Sequence, residues 1–322
     1  MSQASLKSVF SYVVQQRSFW GAIVFWLLLV LSGMHFHYRN EALGGSVYIL
    51  ILLVEMGLVA VLTRKRSMPD LAQRAPERRI ALKETLALWV YGAIILAMGQ
   101  VLGKRWFGEG IALHLNGSLV GATRVQSPAE VYTWAAYNGF FLALIPYVVF
   151  RMRGFSREAL NLKSANWKND TLVIFVVMAI GVALDLTGRS FRQLTVHQQL
   201  VGGLLSFVLH LFGTDLPIMI FIYAILVPRY FRLASPVTAF LLGAASYPVM
   251  HVFESSWTHY DTLSHAIASV ILVFLVFFPP GLMKSFLTAR TGNAWVHMWG
   301  YHAVTPHVTV DTRLIVHDFD IR

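Results

Sequence analysis

Long, nearly uncharged apolar stretches recur along this chain, and they constrain the fold more than any other feature of the sequence. Each approaches the roughly 20 residues that an α-helix needs to cross the hydrocarbon core of a bilayer. Lipid offers backbone amides no hydrogen-bonding partner, so such segments must be helical. The sequence predicts an all-α polytopic integral membrane protein with about 8–9 transmembrane helices, at about 19–36, 46–63, 85–102, 131–150, 171–187, 213–230, 235–253, 262–279 and 292–308.

Composition and charge exclude a soluble protein. Hydrophobic residues make up 56% of the chain and charged residues 13%, whereas soluble domains are about a quarter charged. The net charge of +10 comes mainly from Lys and Arg in short connectors, where it indicates membrane topology rather than nucleic-acid binding. The absence of cysteine excludes disulfides and cysteine-ligated metals.

The chain divides into three parts. Residues 1–195 hold five N-terminal spans, residues 196–308 form a second helical part rich in histidine, and residues 309–322 are a polar tail that we expect to be a short strand or disordered. The apolar stretch 196–212 can be a separate span, an interfacial helix or the front of the next span. The first apolar run lacks a small-residue cleavage site after it, so we interpret it as an uncleaved span.

Basic residues cluster in four connectors, within 64–83, 151–168, 229–232 and 284–290. The positive-inside rule assigns these connectors and the N-terminus to the cytoplasm. Histidines fall near the opposite ends of the spans. We therefore expect non-consecutive helices to bring one group of ionisable residues to a similar depth in the outer half of the membrane: His210, Asp215, His251, Glu254, His265 and His302.

His251 ends the apolar run 235–253, with Tyr247 four residues before it and Glu254 three residues after it. On a helix these positions share a face, so Tyr247 can stack on the imidazole or hydrogen-bond to it. A functional imidazole and a structural His–Glu pair at the membrane boundary both fit this spacing.

Asp215 lies in the stretch HLFGTDLPIMIF, between Gly213 and Pro217. Both neighbours disrupt regular helix, and Pro is favourable in a first helical turn. Asp215 or Thr214 is therefore expected to cap a helix that begins here. The same carboxylate can also bind a metal or accept a proton, and the two roles are compatible.

The other histidines carry less information. His297 and His302 are five residues apart, which is about 140° around an α-helix, so at most one of them points into a given site. A further group lies near span ends, and we interpret its members as solvated interfacial residues like the Trp and Tyr of aromatic belts: His35, His37, His114, His259, His307 and His317.

Imidazoles and a carboxylate suit Zn²⁺, and a catalytic zinc keeps one position open for water. Bound zinc lowers the pKa of that water to about 7. Without a metal, a carboxylate can activate water directly as a general base. The sequence contains neither HExxH nor GxSxG nor a P-loop, and it has no paired histidines of the kind that bind two irons.

The second part of the chain resembles the CPBP (CAAX protease and bacteriocin-processing) intramembrane endopeptidases. Their second motif, an aromatic residue and a His separated by three residues, is matched by YPVMH, Tyr247 to His251. Their Arg-Thr-Gly-x2-Trp signature is matched by RTGNAW, Arg290 to Trp295, with Gly281 before it. The intervals of 36 residues from Asp215 to His251 and 51 residues from His251 to His302 also suit the family.

The resemblance implies roles for three residues. Asp215 would be the base, and His251 and His302 would hold a metal or donate to the oxyanion, with Tyr247, Glu254, His210, His265 and His297 as secondary candidates. The first motif, Glu-Glu-x3-Arg, reads TDLPIM here, so the second Glu and the Arg are absent. The third motif reads HAVTP without its Asn, and His302 falls one residue later than the family pattern after Trp295.

We therefore expect a metal-dependent intramembrane endopeptidase of CPBP type, which processes a membrane-anchored or exported protein. The resemblance and the topology imply the bacterial cytoplasmic membrane, with the site toward the outer half. Its partners would be the lipid bilayer and the protein substrate, with no nucleic acid. Two alternatives stay open: a non-catalytic CPBP-like binding or scaffold protein, and a transporter or a haem- or quinone-binding protein that uses paired histidines.

Overall fold

The computed structural model of the protein describes residues 6–119, 125–186, 191–254 and 257–322, with side chains described from residue 11 onward. Within these ranges the chain forms helices, turns and loops, and no strand. Seven of the helices in the described ranges are long and apolar enough to cross a membrane. The prediction of an all-α polytopic membrane protein is therefore confirmed.

The helices follow one another along the chain with short connectors. The N-terminal part contains α1 (Leu6–Gln15), α2 (Arg17–His35), α3 (Arg39–Leu62), α4 (Arg78–Phe107), α5 (Pro128–Met152) and α6 (Trp167–Asp185). The second part contains α7 (Gln198–Leu233), α8 (Pro236–Met250), α9 (Leu263–Thr291), α10 (Ala294–His297), α11 (Thr305–Thr309) and α12 (Thr312–Asp318). Two short 3₁₀ turns lie at Leu71–Arg74 and Phe191–Gln193. The helices of membrane-spanning length are α2 to α7 and α9, and α8 is a shorter apolar helix of 15 residues.

The apolar stretch 196–212 is the front of the next span, because α7 runs without a break from Gln198 to Leu233. Neither Gly213 nor Pro217 interrupts it. Three π-helical segments, Gln198–Gly202, Leu211–Asp215 and Met219–Leu226, give it wider turns, and such turns re-satisfy backbone groups that a proline leaves without a partner. Asp215 has helical backbone angles in the middle of α7. The expectation that it caps a helix is therefore wrong.

The C-terminal region differs most from the prediction. The expected span at 292–308 is divided into α10, a π-helical turn at Met298–His302, and α11. Residues 312–318, expected to be strand or disordered, form α12. Its buried residues Thr312, Ile315 and Val316 recur at helical spacing, which is the pattern of an amphipathic helix that packs on a core.

Two basic residues that seemed to belong to cytoplasmic connectors are buried inside helices. Arg229 lies in α7, and its Nε is 2.6 Å from Oε2 of Glu84 in α4. Lys284 lies in α9, which continues through Pro279 and Pro280 to Thr291. These two helices are thus longer than the hydrophobic runs that predicted them. The additional helical residues at their ends include buried charged residues.

A loop at residues 111–119 fills the space between α4 and α5 and packs against the middle of α7. Every residue from Ile111 to Gly117 is buried. Gly99 of α4 permits this approach, since a Cβ atom there would lie 2.7 Å from the backbone nitrogen of His114. The loop is fixed to α7 by the Thr214 hydroxyl, which donates to the carbonyl oxygen of Asn116 at 2.6 Å.

Candidate functional site

Five ionisable side chains meet at the middle of α7 and are almost completely excluded from solvent. His210 and Asp215 come from α7, His302 ends the turn after α10, His307 lies in α11, and Asp311 follows α11. None of the five is more than 2% exposed. Burying ionisable groups without pairing them is costly, so a cluster of this kind is a candidate for function.

Three atoms of this cluster form a compact triangle of possible metal ligands. Oδ1 of Asp215 lies 3.1 Å from Nδ1 of His302 and 3.5 Å from Nε2 of His307. Neither carboxylate oxygen of Asp215 accepts a hydrogen bond from any residue that the structure describes. The lone pairs of Asp215, His302 and His307 therefore converge on one point, and these three atoms form no hydrogen bonds with one another.

Asp311 and His210 support one side of this triangle. The Nδ1–H of His307 donates to Oδ2 of Asp311 at 3.0 Å, which leaves the lone pair of Nε2 on the side of Asp215. The ring of His210 stacks on His307, with centroids 4.4 Å apart, and its Nε2 is 3.2 Å from the same oxygen of Asp311. His210, His307 and Asp311 form a second possible ligand group, but in it the Nδ1 of His307 already bonds to Asp311.

Tyr247 and Lys284 lie on the other side of the triangle. The hydroxyl of Tyr247 is 3.3 Å from Nε2 of His302. The Nζ of Lys284 lies 3.3 Å from the centroid of the Tyr247 ring, an arrangement that is attractive for a cation. Lys284 makes no hydrogen bond with any described residue.

Two π-helical turns shape the site, because Leu211–Asp215 and Met298–His302 each end on one of its residues. In a π turn, residues five apart come close to the same face. His210 and Asp215 are five apart and would diverge on a regular α-helix. Turns of this kind often occur at functional sites, and no pattern in the sequence signals them.

His251 lies beside the cluster and belongs to neither ligand group within the described part of the chain. Its Nδ1 is 2.7 Å from the carbonyl oxygen of Tyr247, and its ring stacks on Phe277 with centroids 4.4 Å apart. His251 thus reaches the site through Tyr247. The expected ligand pair of His251 and His302 does not meet in one triangle, whereas Asp215 and His302 do.

The remaining secondary candidates lie elsewhere. His265 is exposed and pairs with Asp261, with Nδ1 and Oδ1 2.7 Å apart, because it begins α9 at the surface. His297 is buried in a separate contact, with its Nδ1 3.1 Å from Oγ1 of Thr288. Only one of His297 and His302 therefore points at Asp215, as their spacing indicated.

Glu254 holds the 111–119 loop rather than the triangle. Its two carboxylate oxygens accept the backbone N–H of Gly117 at 3.0 and 3.1 Å. Burial raises the pKa of Glu254 to about 8, and the hydrogen bonds from the backbone of Gly117 and Ser118 oppose this rise only in part. Ser118 in turn donates to Oδ1 of Asp311 at 2.5 Å. The loop therefore links Glu254 to the site.

Replacing Glu254 with Gln is expected to stabilise the protein much more at pH 8 than at pH 5. The folded state keeps a proton on Glu254 up to about pH 8, whereas the unfolded chain releases it near pH 4.3. Stability due to this group therefore falls as pH rises between these values. Gln stays neutral and can still accept the Gly117 N–H.

The measurement is the melting temperature of the purified protein in detergent, followed by tryptophan fluorescence. We expect Glu254→Gln to exceed the unmodified protein by several degrees at pH 8. Glu109→Gln, in the solvent-exposed turn after α4, is the control. If the melting temperature of Glu254→Gln differed from that of the unmodified protein by the same amount at both pH values, this account of Glu254 would be contradicted.

Sequence reasoning missed three residues of the site. His307 was interpreted as interfacial, Asp311 fell in the tail, and Lys284 was counted as a topology signal. The four-residue spacing of His307 and Asp311 places both on one face of a helix, and it is the one signal that could have found them. His114, also interpreted as solvated, is buried, and this burial lowers its pKa to about 4. His35, His37, His259 and His317 are exposed, in agreement with the interfacial interpretation.

Comparison of the chain with protein-family models, with curated proteins and with solved structures finds no match in any of the three.

Proposed function

We propose that the protein is a metal-dependent endopeptidase whose site lies inside the membrane bundle, and that Asp215, His302 and His307 hold a zinc ion. The observation that carries this proposal is the buried triangle of one carboxylate oxygen and two imidazole nitrogens. Three protein ligands of this type with one open position are the usual arrangement of a catalytic zinc.

The two separations that involve Asp215 fit zinc. Zinc bonds to nitrogen and oxygen of about 2.0–2.1 Å place neighbouring ligands of a tetrahedral site about 3.3 Å apart. The two separations from Asp215 Oδ1 are 3.1 and 3.5 Å. A bound zinc would supply a Lewis acid that polarises water and a peptide carbonyl.

The surrounding residues orient the ligands. Asp311 accepts from Nδ1 of His307 and so directs Nε2 toward Asp215. With Nδ1 of His302 directed at Asp215, its Nε2–H can donate to the hydroxyl oxygen of Tyr247. Carboxylate partners behind a metal-bound imidazole commonly fix its tautomer and raise its basicity, so Asp311 is a positioning residue here.

Lys284 can stabilise the negative charge that develops on a carbonyl oxygen during attack on a peptide bond. It is buried beside Tyr247. A preorganised cation in a site from which water is excluded stabilises such charge strongly. The first motif of the CPBP pattern has an Arg that is absent here, and Lys284 of α9 brings a cation to the site from a different helix.

The CPBP resemblance supports the proposal at several positions. Tyr247 and His251 match the second motif, Asp215 keeps one carboxylate of the first, and His302 falls one residue late in the third. The one-residue delay of His302 after Trp295 coincides with the π-helical turn Met298–His302, and a π-bulge is the usual way for a helix to accommodate one extra residue. His307 and Asp311 supply polar groups beyond the position of the missing Asn.

The substrate class follows from the location of the site. A triangle at the middle of a membrane-spanning helix is suited to a protein that is anchored in, or passes through, the same bilayer. The basic clusters and the orientation rule favour a site toward the outer half of the membrane, and the CPBP resemblance favours the bacterial cytoplasmic membrane. Membrane-anchored or exported proteins are then the proposed substrates.

Terminus profiling by mass spectrometry tests the activity without a known substrate. Bacterial membranes that contain the protein should gain new N-termini near membrane anchors, and Asp215→Ala or His302→Ala should abolish them. His265→Ala, which removes an exposed histidine, is the matched control and should preserve them. Identical termini in all four membranes would refute the peptidase and favour a non-catalytic binding protein.

A further inference from the structure

A lateral groove lies between α5 and α7, and its lining does not include Asp215, His302 or His307, the residues of the proposed zinc triangle. Its volume is about 840 Å³. Small residues of α5, including Ala136, Gly139 and Ala143, form one wall, and apolar side chains of α7 form the other. Phe140 and Phe212 line the groove and are 50% and 48% exposed. Because both helices are of membrane-spanning length, the mouth of the groove faces lipid.

The dimensions of the groove select the shape of its occupant. It extends from Tyr132 to Tyr147 of α5, which is about 22 Å at the rise of an α-helix. Between these two tyrosines, the α5 residues that line the groove are all Ala, Gly, Leu or Phe. A long apolar trough that opens sideways toward lipid is complementary to extended hydrocarbon chains.

One end of the groove carries a positive charge. Arg157 lines the groove and follows α5 in the basic connector. Among the described residues its guanidinium forms no ion pair, whereas Arg153 pairs with Glu84 and Lys163 with Glu158 in the same connector. An unpaired guanidinium next to an apolar trough is complementary to a ligand with a hydrocarbon body and an anionic head.

We propose that this groove binds an anionic phospholipid, with its acyl chains along α5 and its phosphate at Arg157. Trp295 also lines the groove and is partly buried, so it should contact the bound chain. The same two helices meet where Trp134 of α5 packs against Gly213, two residues before Asp215. A bound lipid would therefore brace the helix that carries the zinc triangle. This inference does not depend on the peptidase function.

Quenching of Trp295 by brominated lipids tests the proposal. The protein is reconstituted in phosphatidylcholine bilayers that contain increasing amounts of phosphatidylglycerol or phosphatidylcholine with brominated chains. The difference between the unmodified protein and Trp295→Phe isolates the Trp295 emission. We expect saturable quenching, with about fivefold preference for phosphatidylglycerol, as one basic contact provides.

Two variants and one control sharpen the test. Arg157→Gln should remove the preference between the two headgroups, whereas Lys168→Gln, which changes an exposed basic residue in the first turn of α6, should keep it. Ala136→Phe fills the groove from its lipid-exposed side, so it should abolish saturable quenching without disturbing the core. Quenching that rises linearly with brominated lipid, equally for both headgroups and all variants, would overturn the proposal and indicate bulk lipid contact only.

Discussion

Substitution of His307 with Ala is expected to abolish tight zinc binding, whereas substitution of His251 with Ala should leave one zinc ion per chain. The reason is geometric. Nε2 of His307 lies 3.5 Å from Oδ1 of Asp215, while the described part of the chain offers His251 no place in a ligand group. Loss of His307 removes a zinc–nitrogen bond. It also leaves the buried carboxylate of Asp215 without one of its neighbouring polar groups.

The measurement is zinc content by elemental analysis after equilibration with zinc and removal of weakly bound metal. Asp311→Asn should retain zinc with affinity reduced about 10- to 100-fold, as is usual for a carboxylate behind a metal-bound histidine. His265→Ala is the matched control at the surface. If His251→Ala lost zinc and His307→Ala kept it, the ligand set implied by the CPBP resemblance would be correct and the triangle proposed here would be wrong.

Substitution of Lys284 with Met should lower the rate of peptide-bond cleavage about 100- to 1,000-fold, the range found when one donor to a developing oxyanion is removed. Zinc content should not fall, because Lys284 is not a ligand. Thermal stability should be equal or higher, since Met fills a similar volume without a buried charge. The combination of a folded, zinc-loaded and inactive protein distinguishes an electrostatic role from a structural one.

This rate is measured on a substrate identified by terminus profiling, with the protein in detergent and saturated with zinc. Lys168→Met removes a surface ammonium of the same type and should cleave at the normal rate. Unchanged cleavage by Lys284→Met would show that the buried ammonium takes no part in the reaction.

Much of the fold could be predicted from the sequence, because the length of an apolar run directly reflects the thickness of a bilayer. The five N-terminal spans correspond to α2 through α6. Where the prediction failed, local signals were overridden by tertiary structure. Pro217 suggested a helix start, and wide turns in α7 accommodate it. The alternating tail suggested a strand, and packing of α12 through Thr312, Ile315 and Val316 makes it helical.

The candidate site was less accessible to sequence reasoning. Asp215 and His302 were selected through motif spacing, and the structure brings them within 3.1 Å. His307 was not selected, because a histidine near the end of an apolar run resembles an interfacial residue. The convergence depends on two π-helical turns and on a C-terminal segment that returns to the middle of α7. Neither feature leaves a recognisable pattern in a single sequence.

Zinc K-edge X-ray absorption spectroscopy of the purified, zinc-loaded protein tests the central claim most directly. We expect a four-coordinate shell of nitrogen and oxygen at about 2.0–2.1 Å, with outer-shell scattering from two imidazoles that falls to one in the residual zinc of His307→Ala. A six-coordinate shell of oxygen alone, or two imidazoles that persist in His307→Ala, would contradict a zinc site built from Asp215, His302 and His307.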